Sequence, residues 1–147
     1  MGHYTYTIDV DAPQELVFDL WTDLDLMKTW VGGVSRVSPP TGPMDKVGTT
    51  YTVYFGSVGS RTEILDVERP RLFTTRFGTA WLKGTNRLEL AAAGDGTKLT
   101  QTFVTEGFLP GIMGWIFGHG SYRGSFLGEL RHFGRIAEAE AAKRAPR

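Results

Sequence analysis

Toward its C-terminal end the chain reads GWIFGHGSYRGSF over residues 114–126, which sets His119, Tyr122 and Arg123 among aromatic residues and glycines. The imidazole of His119 is suited to proton transfer near neutral pH, because its ordinary pKa of about 6.5 lets it gain or lose a proton there. Arg123 carries a permanent charge that is costly to bury alone, so it must meet a carboxylate, an anionic ligand or solvent. At ~100° per residue, Ile112, Trp115, Ile116, Phe126, Leu127, Leu130 and Phe133 fall on one helical stripe. His119 lies near the centre of that stripe, with Arg123 one turn further along and Tyr122 beside them. Gly114, Gly118, Gly124 and Gly128 point mainly the other way, as do Arg131, His132 and Arg135. A helix is therefore expected, although the glycines between 114 and 120 cost roughly 2–3 kcal/mol against alanine. Two readings of His119 stay open. It is a core histidine satisfied by a strand residue or a water, or it hydrogen-bonds or deprotonates a ligand.

Positioning these groups falls to the preceding elements. Residues 4–10, YTYTIDV, alternate apolar and polar, the period of a half-buried strand. Asp11, Pro13 and Gln14 read as a helix start, with Asp11 as cap and Gln14 three residues after it. A short helix is expected through Leu16, Val17, Leu20 and Trp21, then a second, capped by Asp23 or Asp25 and ending near Trp30. From Gly33 to Gly107 the pattern is one of strands, expected at 34–37, 49–55, 61–68, 72–77, 81–91 and 98–106. The breaks at 56–59, 69–71, 78–79 and 94–96 are short and rich in turn residues, so the sheet is antiparallel. Beyond Pro110 the period becomes helical to about Ala142.

Strand alternation then sorts the polar residues. Asn86 shares a face with Gly84, Leu88 and Leu90, while Arg87 and Glu89 lie on the other. Gln101 and Thr105 share a face with Leu99 and Phe103. Tyr51, Val53 and Phe55 oppose Thr50, Thr52 and Tyr54. Tyr51, Asn86 and Gln101 are thus the polar groups expected to face the last helix. A few convergent polar groups in an apolar lining describe a small-molecule pocket, and equally a core with a handful of satisfied polar residues. A bulge would flip the facing of Arg61, Glu63 and Arg76, which stays undecided.

The remaining chemistry is bounded by composition. With 147 residues, the chain is expected to form one domain over 1–147. Sixteen basic residues balance sixteen acidic ones, which argues against nucleic acid as a partner. Lack of cysteine removes disulfides, thiol nucleophiles and thiolate metal sites. His3, His119 and His132 are too scattered for a metal site, and no phosphate-binding glycine loop or Gly-x-Ser-x-Gly elbow is present. No secretory signal opens the chain, and the most apolar window, residues 108–118, is roughly half the ~20 residues of a membrane span. A cytoplasmic location is the expectation.

TIDVDAPQELVFDLWTDLDLMKTW (residues 7–30) resembles the opening of the START-like (SRPBCC, helix-grip) superfamily, in particular its polyketide cyclase/dehydrase branch. The matching features are Asp11-Ala12-Pro13 after a strand, Val17-Phe18, Asp23 and Trp30. Val47-Gly48, Glu68-Arg69-Pro70 at a hairpin, Gly96-Thr97 and the long last helix continue the match. The resemblance implies an α+β helix-grip fold, a curved seven-stranded antiparallel sheet around a long C-terminal helix with two short helices after strand 1. It also implies an internal cavity for an apolar ligand, aromatic, polyketide-like or lipid-like. The residues expected to line it are Tyr51, Val53, Phe55, Asn86, Leu88, Gln101, Phe103, Trp115, His119, Tyr122 and Arg123. The first expectation is binding without chemistry, with no cofactor and no metal, by a monomer or homodimer. A cyclase/dehydratase with His119 as general base is the alternative, and a co-chaperone-like interaction role the weaker one.

Overall fold

A computed structural model describes residues 2–79, 82–107 and 120–145, with side chains from residue 127 onward in the last helix. The elements run β1 (Gly2–Val10), α1 (Gln14–Trp21), α2 (Leu24–Trp30), β2 (Val34–Val37), β3 (Thr50–Phe55), β4 (Val58–Glu68), β5 (Leu72–Gly78), β6 (Leu82–Ala93), β7 (Gly96–Gly107) and α3 (Gly120–Arg144). All seven strands form one antiparallel sheet in the order β1-β7-β6-β5-β4-β3-β2. The α+β helix-grip arrangement is therefore present. Short hairpin links join β3 through β7, while β1 reaches β7 only after the whole sheet has been laid down.

Local chemistry explains most boundaries. Asp23 caps α2, its Oδ1 accepting from the backbone N–H groups of Asp25 and Leu26 at 3.0 and 3.2 Å. At α1 the expected cap is absent. Pro13 occupies the N-cap position, and no side chain bonds the first turn. Asp11 and Gln14 make tertiary bonds instead. The Asp11 backbone N–H donates to Glu138 Oε2 on α3 at 2.9 Å, and Gln14 Nε2 donates to the Leu90 carbonyl at 2.9 Å. Competition from long-range partners thus displaced a local motif. The β3–β4 link is shorter than expected, because β4 begins at Val58 and leaves only Gly56 and Ser57 between the strands. Gly56 has φ +65°, a conformation that favours glycine in a tight hairpin.

The core forms where α1, α2 and α3 meet one end of the sheet. Val17, Phe18 and Trp21 of α1 are buried together with Trp30, Phe133 and Leu130. The Trp21, Trp30 and Phe133 rings touch pairwise, with centroids 4.9 to 5.1 Å apart. Beneath them lie Val10, Leu90 and Leu99 of the sheet. The Thr97 hydroxyl donates to the Ala12 carbonyl at 2.7 Å, which ties the start of β7 to the chain entering α1. A Cβ built on Gly134 would lie 3.2 Å from Ile8, so α3 crosses close over this end of β1.

Candidate functional site

The pairing register arranges the inner face of the sheet into rows, and their chemistry changes along the strands. The row nearest α1 is Ile8, Leu99 and Leu90. Next come Tyr6, Gln101, Leu88 and Phe73, then Tyr4, Phe103, Asn86, Thr75 and Ile64. The last of these rows runs Thr105, Gly84, Phe77, Thr62 and Tyr51. Polarity thus grows away from the dry core. Thr62, Thr75, Gln101 and Thr105 are all buried, as is Ser60 on β4.

Two groups in these rows have defined polar chemistry. Gln101 Nε2 donates to Asn86 Oδ1 at 3.2 Å, an amide pair that leaves the Gln101 carbonyl oxygen and the Asn86 NH₂ for other partners. Burial pushes the Tyr51 phenol above the ordinary tyrosine range. It is therefore a neutral hydroxyl throughout the physiological pH range, able to donate a hydrogen bond but not to act as a phenolate. Aromatic rings lie in the same rows. Phe77 and Phe103 meet edge to face with centroids 6.3 Å apart. Gly84 makes this possible, since a Cβ there would come within 2.8 Å of the Phe77 ring and 2.4 Å of the Val104 carbonyl.

Of the residues singled out from sequence, Tyr51, Val53, Leu88 and Gln101 are buried, and Asn86 and Phe103 are half-buried. Phe55 sits at the end of β3, 44% exposed. Tyr122 and Arg123 lie in the backbone of α3. Trp115 and His119 lie outside the described residues. Ser60, Thr62, Thr75 and Phe77 were not anticipated, because the facing of β4 and β5 was undecided. The register resolves it. The irregularity in the β4–β5 pairing comes after Ile64, so Arg61, Glu63 and Arg76 all take the outer face. There Arg76 pairs with Glu63 at 3.1 Å. Treating charged Arg61 and Glu63 as outward would have found Ser60 and Thr62. Among the described residues no group of acidic and histidine side chains could hold a metal ion.

A search of curated proteins returns no significant match. The family described as "Polyketide cyclase / dehydrase and lipid transport" matches residues 1–130. The chain belongs to that family. Solved structures with the same fold include a conserved protein from Geobacillus kaustophilus, with TM-score 0.71 and 15% identity over 95% of this chain and 97% of that one. CalU16 from Micromonospora echinospora follows at TM-score 0.56 and 20% identity, covering 96% of this chain and 86% of that one. DynU16, a putative protein in the dynemicin biosynthetic locus, has TM-score 0.66 and 20% identity over 97% of this chain and 49% of that one. At such identities these structures share the fold. Among the described residues of this family member, no helix is long and apolar enough to cross a membrane.

Proposed function

We propose that the chain binds an apolar small molecule, aromatic, polyketide-like or lipid-like, against the polar rows of the sheet's inner face beneath α3. One observation carries the reading. The amide pair of Gln101 and Asn86 sits amid Leu88, Phe103 and Phe77, an apolar lining with a few oriented polar groups, as small-molecule sites have. A carbonyl or hydroxyl on an otherwise apolar ligand would meet the Asn86 NH₂, the Gln101 oxygen or the Tyr51 hydroxyl. The outer face, with Thr5, Thr7, Thr100, Thr102 and the Arg76–Glu63 pair, is polar, which favours this reading over a protein-interaction role.

Native mass spectrometry of the purified protein, followed by denaturing release, tests the proposal. A stoichiometric apolar compound is expected, and Phe103→Ala should weaken its binding by about tenfold, or ~1.4 kcal/mol. Binding that is unchanged in Phe103→Ala, with the variant folded, would count against this site.

A second reading is cyclisation or dehydration of a poly-β-ketone, with His119 as base. The buried Tyr51 phenol, held neutral by burial, favours it, because a neutral donor in a buried site can polarise a carbonyl oxygen as enolate character develops. That a neighbour in fold lies in a biosynthetic locus is consistent with it. In this case His119→Ala loses turnover while ligand affinity stays within about tenfold of wild type.

A further inference from the structure

An open groove of about 580 Å³ lies where the α2–β2 corner meets α3, lined by residues of that corner and by Glu129, His132 and Arg135. Its chemistry differs from that of the sheet's inner face. Three basic side chains border it, Lys28 from α2 and His132 and Arg135 from α3, all exposed. Among the described residues Arg135 makes no ion pair. Lys28 pairs with Asp25 at 3.6 Å, but Asp25 is 97% exposed, and such a pair holds its cation weakly.

Set among these side chains is one half-buried carboxylate. Glu129 Oε1 accepts the backbone N–H of Gly32 at 2.9 Å, across 97 residues of chain, which leaves Oε2 for another donor. A Cβ on Gly32 would stand 2.6 Å from that oxygen, so any other residue there would displace the Glu129 carboxylate. No cation reaches Glu129 within ion-pair distance among the described residues, and burial pushes its carboxyl up from the ordinary value of 4.5, only partly offset by the Gly32 N–H. The groove wall is firm. Trp30 lines it while packing against Trp21 and Phe133.

We propose that this groove is a second binding site, separate from the sheet's inner face, for a small anion that also carries a hydrogen-bond donor. Hydroxy-carboxylates, amino-carboxylates and sugar phosphates share that chemistry. Arg135, with Lys28 and His132, meets the anionic group, and the fork of the guanidinium suits a carboxylate or phosphate. Glu129 Oε2 takes the hydroxyl or amine. A plain anion would meet the Glu129 charge unrelieved, and a plain cation would meet Arg135 and Lys28. The two signs of charge therefore select a ligand that carries both functions.

Glycerol 3-phosphate and methyl phosphate, which differ in the hydroxyl donors, are the probes. Each is titrated into the full chain labelled with nitrogen-15, and amide shifts are followed by NMR. Saturable shifts are expected at residues 28–34 and 128–135, with glycerol 3-phosphate at least about threefold tighter than methyl phosphate. Arg135→Gln, an exposed change that leaves the fold intact, should weaken both by about fivefold or more. Glu129→Gln can keep the Gly32 hydrogen bond through its carbonyl and present NH₂ in place of Oε2. It should erase the preference for glycerol 3-phosphate and tighten methyl phosphate. Shifts centred on the Gln101 and Asn86 side-chain amides, an absence of saturable shifts, or affinity indifferent to Arg135→Gln would each overturn the proposal.

Discussion

The two ends of the sheet's inner face are built from the same strands and behave as different materials. At the α1 end, Val10, Leu90 and Leu99 are essentially inaccessible and packed under Phe18 and Phe133. Two rows further along, the sheet presents Asn86 and Thr75 beside Phe103, and a third row presents Thr105 and Thr62 beside Phe77. The first end is an ordinary close-packed interior, where each methylene contributes to stability. The second buries hydroxyls and amides, which stabilise a fold less well than hydrocarbon would unless each has a partner. One end therefore holds the protein together, and the other is where the proposed ligand's polar groups would be read.

The sharpest way to break this contrast is to truncate one large side chain at each end. Phe133→Ala, in the dry end, is expected to cost about 3–5 kcal/mol in chemical denaturation. Phe77→Ala, half-buried at the polar end, should cost clearly less. Equal losses would mean that both ends are structural core. Gly84→Ala comes next. Its methyl group meets the Val104 carbonyl and the Phe77 ring, so a loss of about 1–3 kcal/mol is expected, with disturbed ligand binding.

A subtler probe replaces the amide pair by hydrocarbon. The double variant Gln101→Leu, Asn86→Leu should change stability by less than about 1 kcal/mol, or raise it, because both partners are removed together. Ligand binding, read by native mass spectrometry, should nevertheless fall. Unaffected binding would make the pair a structural feature alone. The smallest effect belongs to Glu129, in neither region. Because its folded-state pKa is raised, the folded chain holds more protons than the unfolded one just above the ordinary carboxylate pKa. Its contribution to stability is thus greatest at low pH and declines as pH rises through the raised value. Glu129→Gln should be slightly more stable than wild type at pH 7, by about 0.5 kcal/mol or less, and the gap should close as pH falls toward 4.

Alternation along β3, β6 and β7 placed Tyr51, Asn86 and Gln101 on one face from sequence, because a strand's side chains have a period of two whatever surrounds them. The same rule stopped short at β4 and β5, where one displaced residue would have reversed every side chain. Only the partner strands show that the irregularity comes after Ile64. The Asp11 cap failed for a related reason. Its spacing fits a local motif, but the Asp11 N–H found Glu138 and Gln14 found Leu90, partners 127 and 76 residues away.

Sequence by itself determined the order of elements, the antiparallel hairpins and the amphipathic stripe of the last helix, since these follow from local periodicity and turn chemistry. Leu130 and Phe133 of that stripe are buried, while Arg131, His132 and Arg135 are exposed. Tertiary structure alone decided that Phe77 lies across Gly84, that Gln101 holds Asn86, and that Glu129 reaches Gly32 beside Lys28, His132 and Arg135. Each depends on segments far apart in the chain being brought into register, and neither periodicity nor spacing encodes the distance between two elements once they pack.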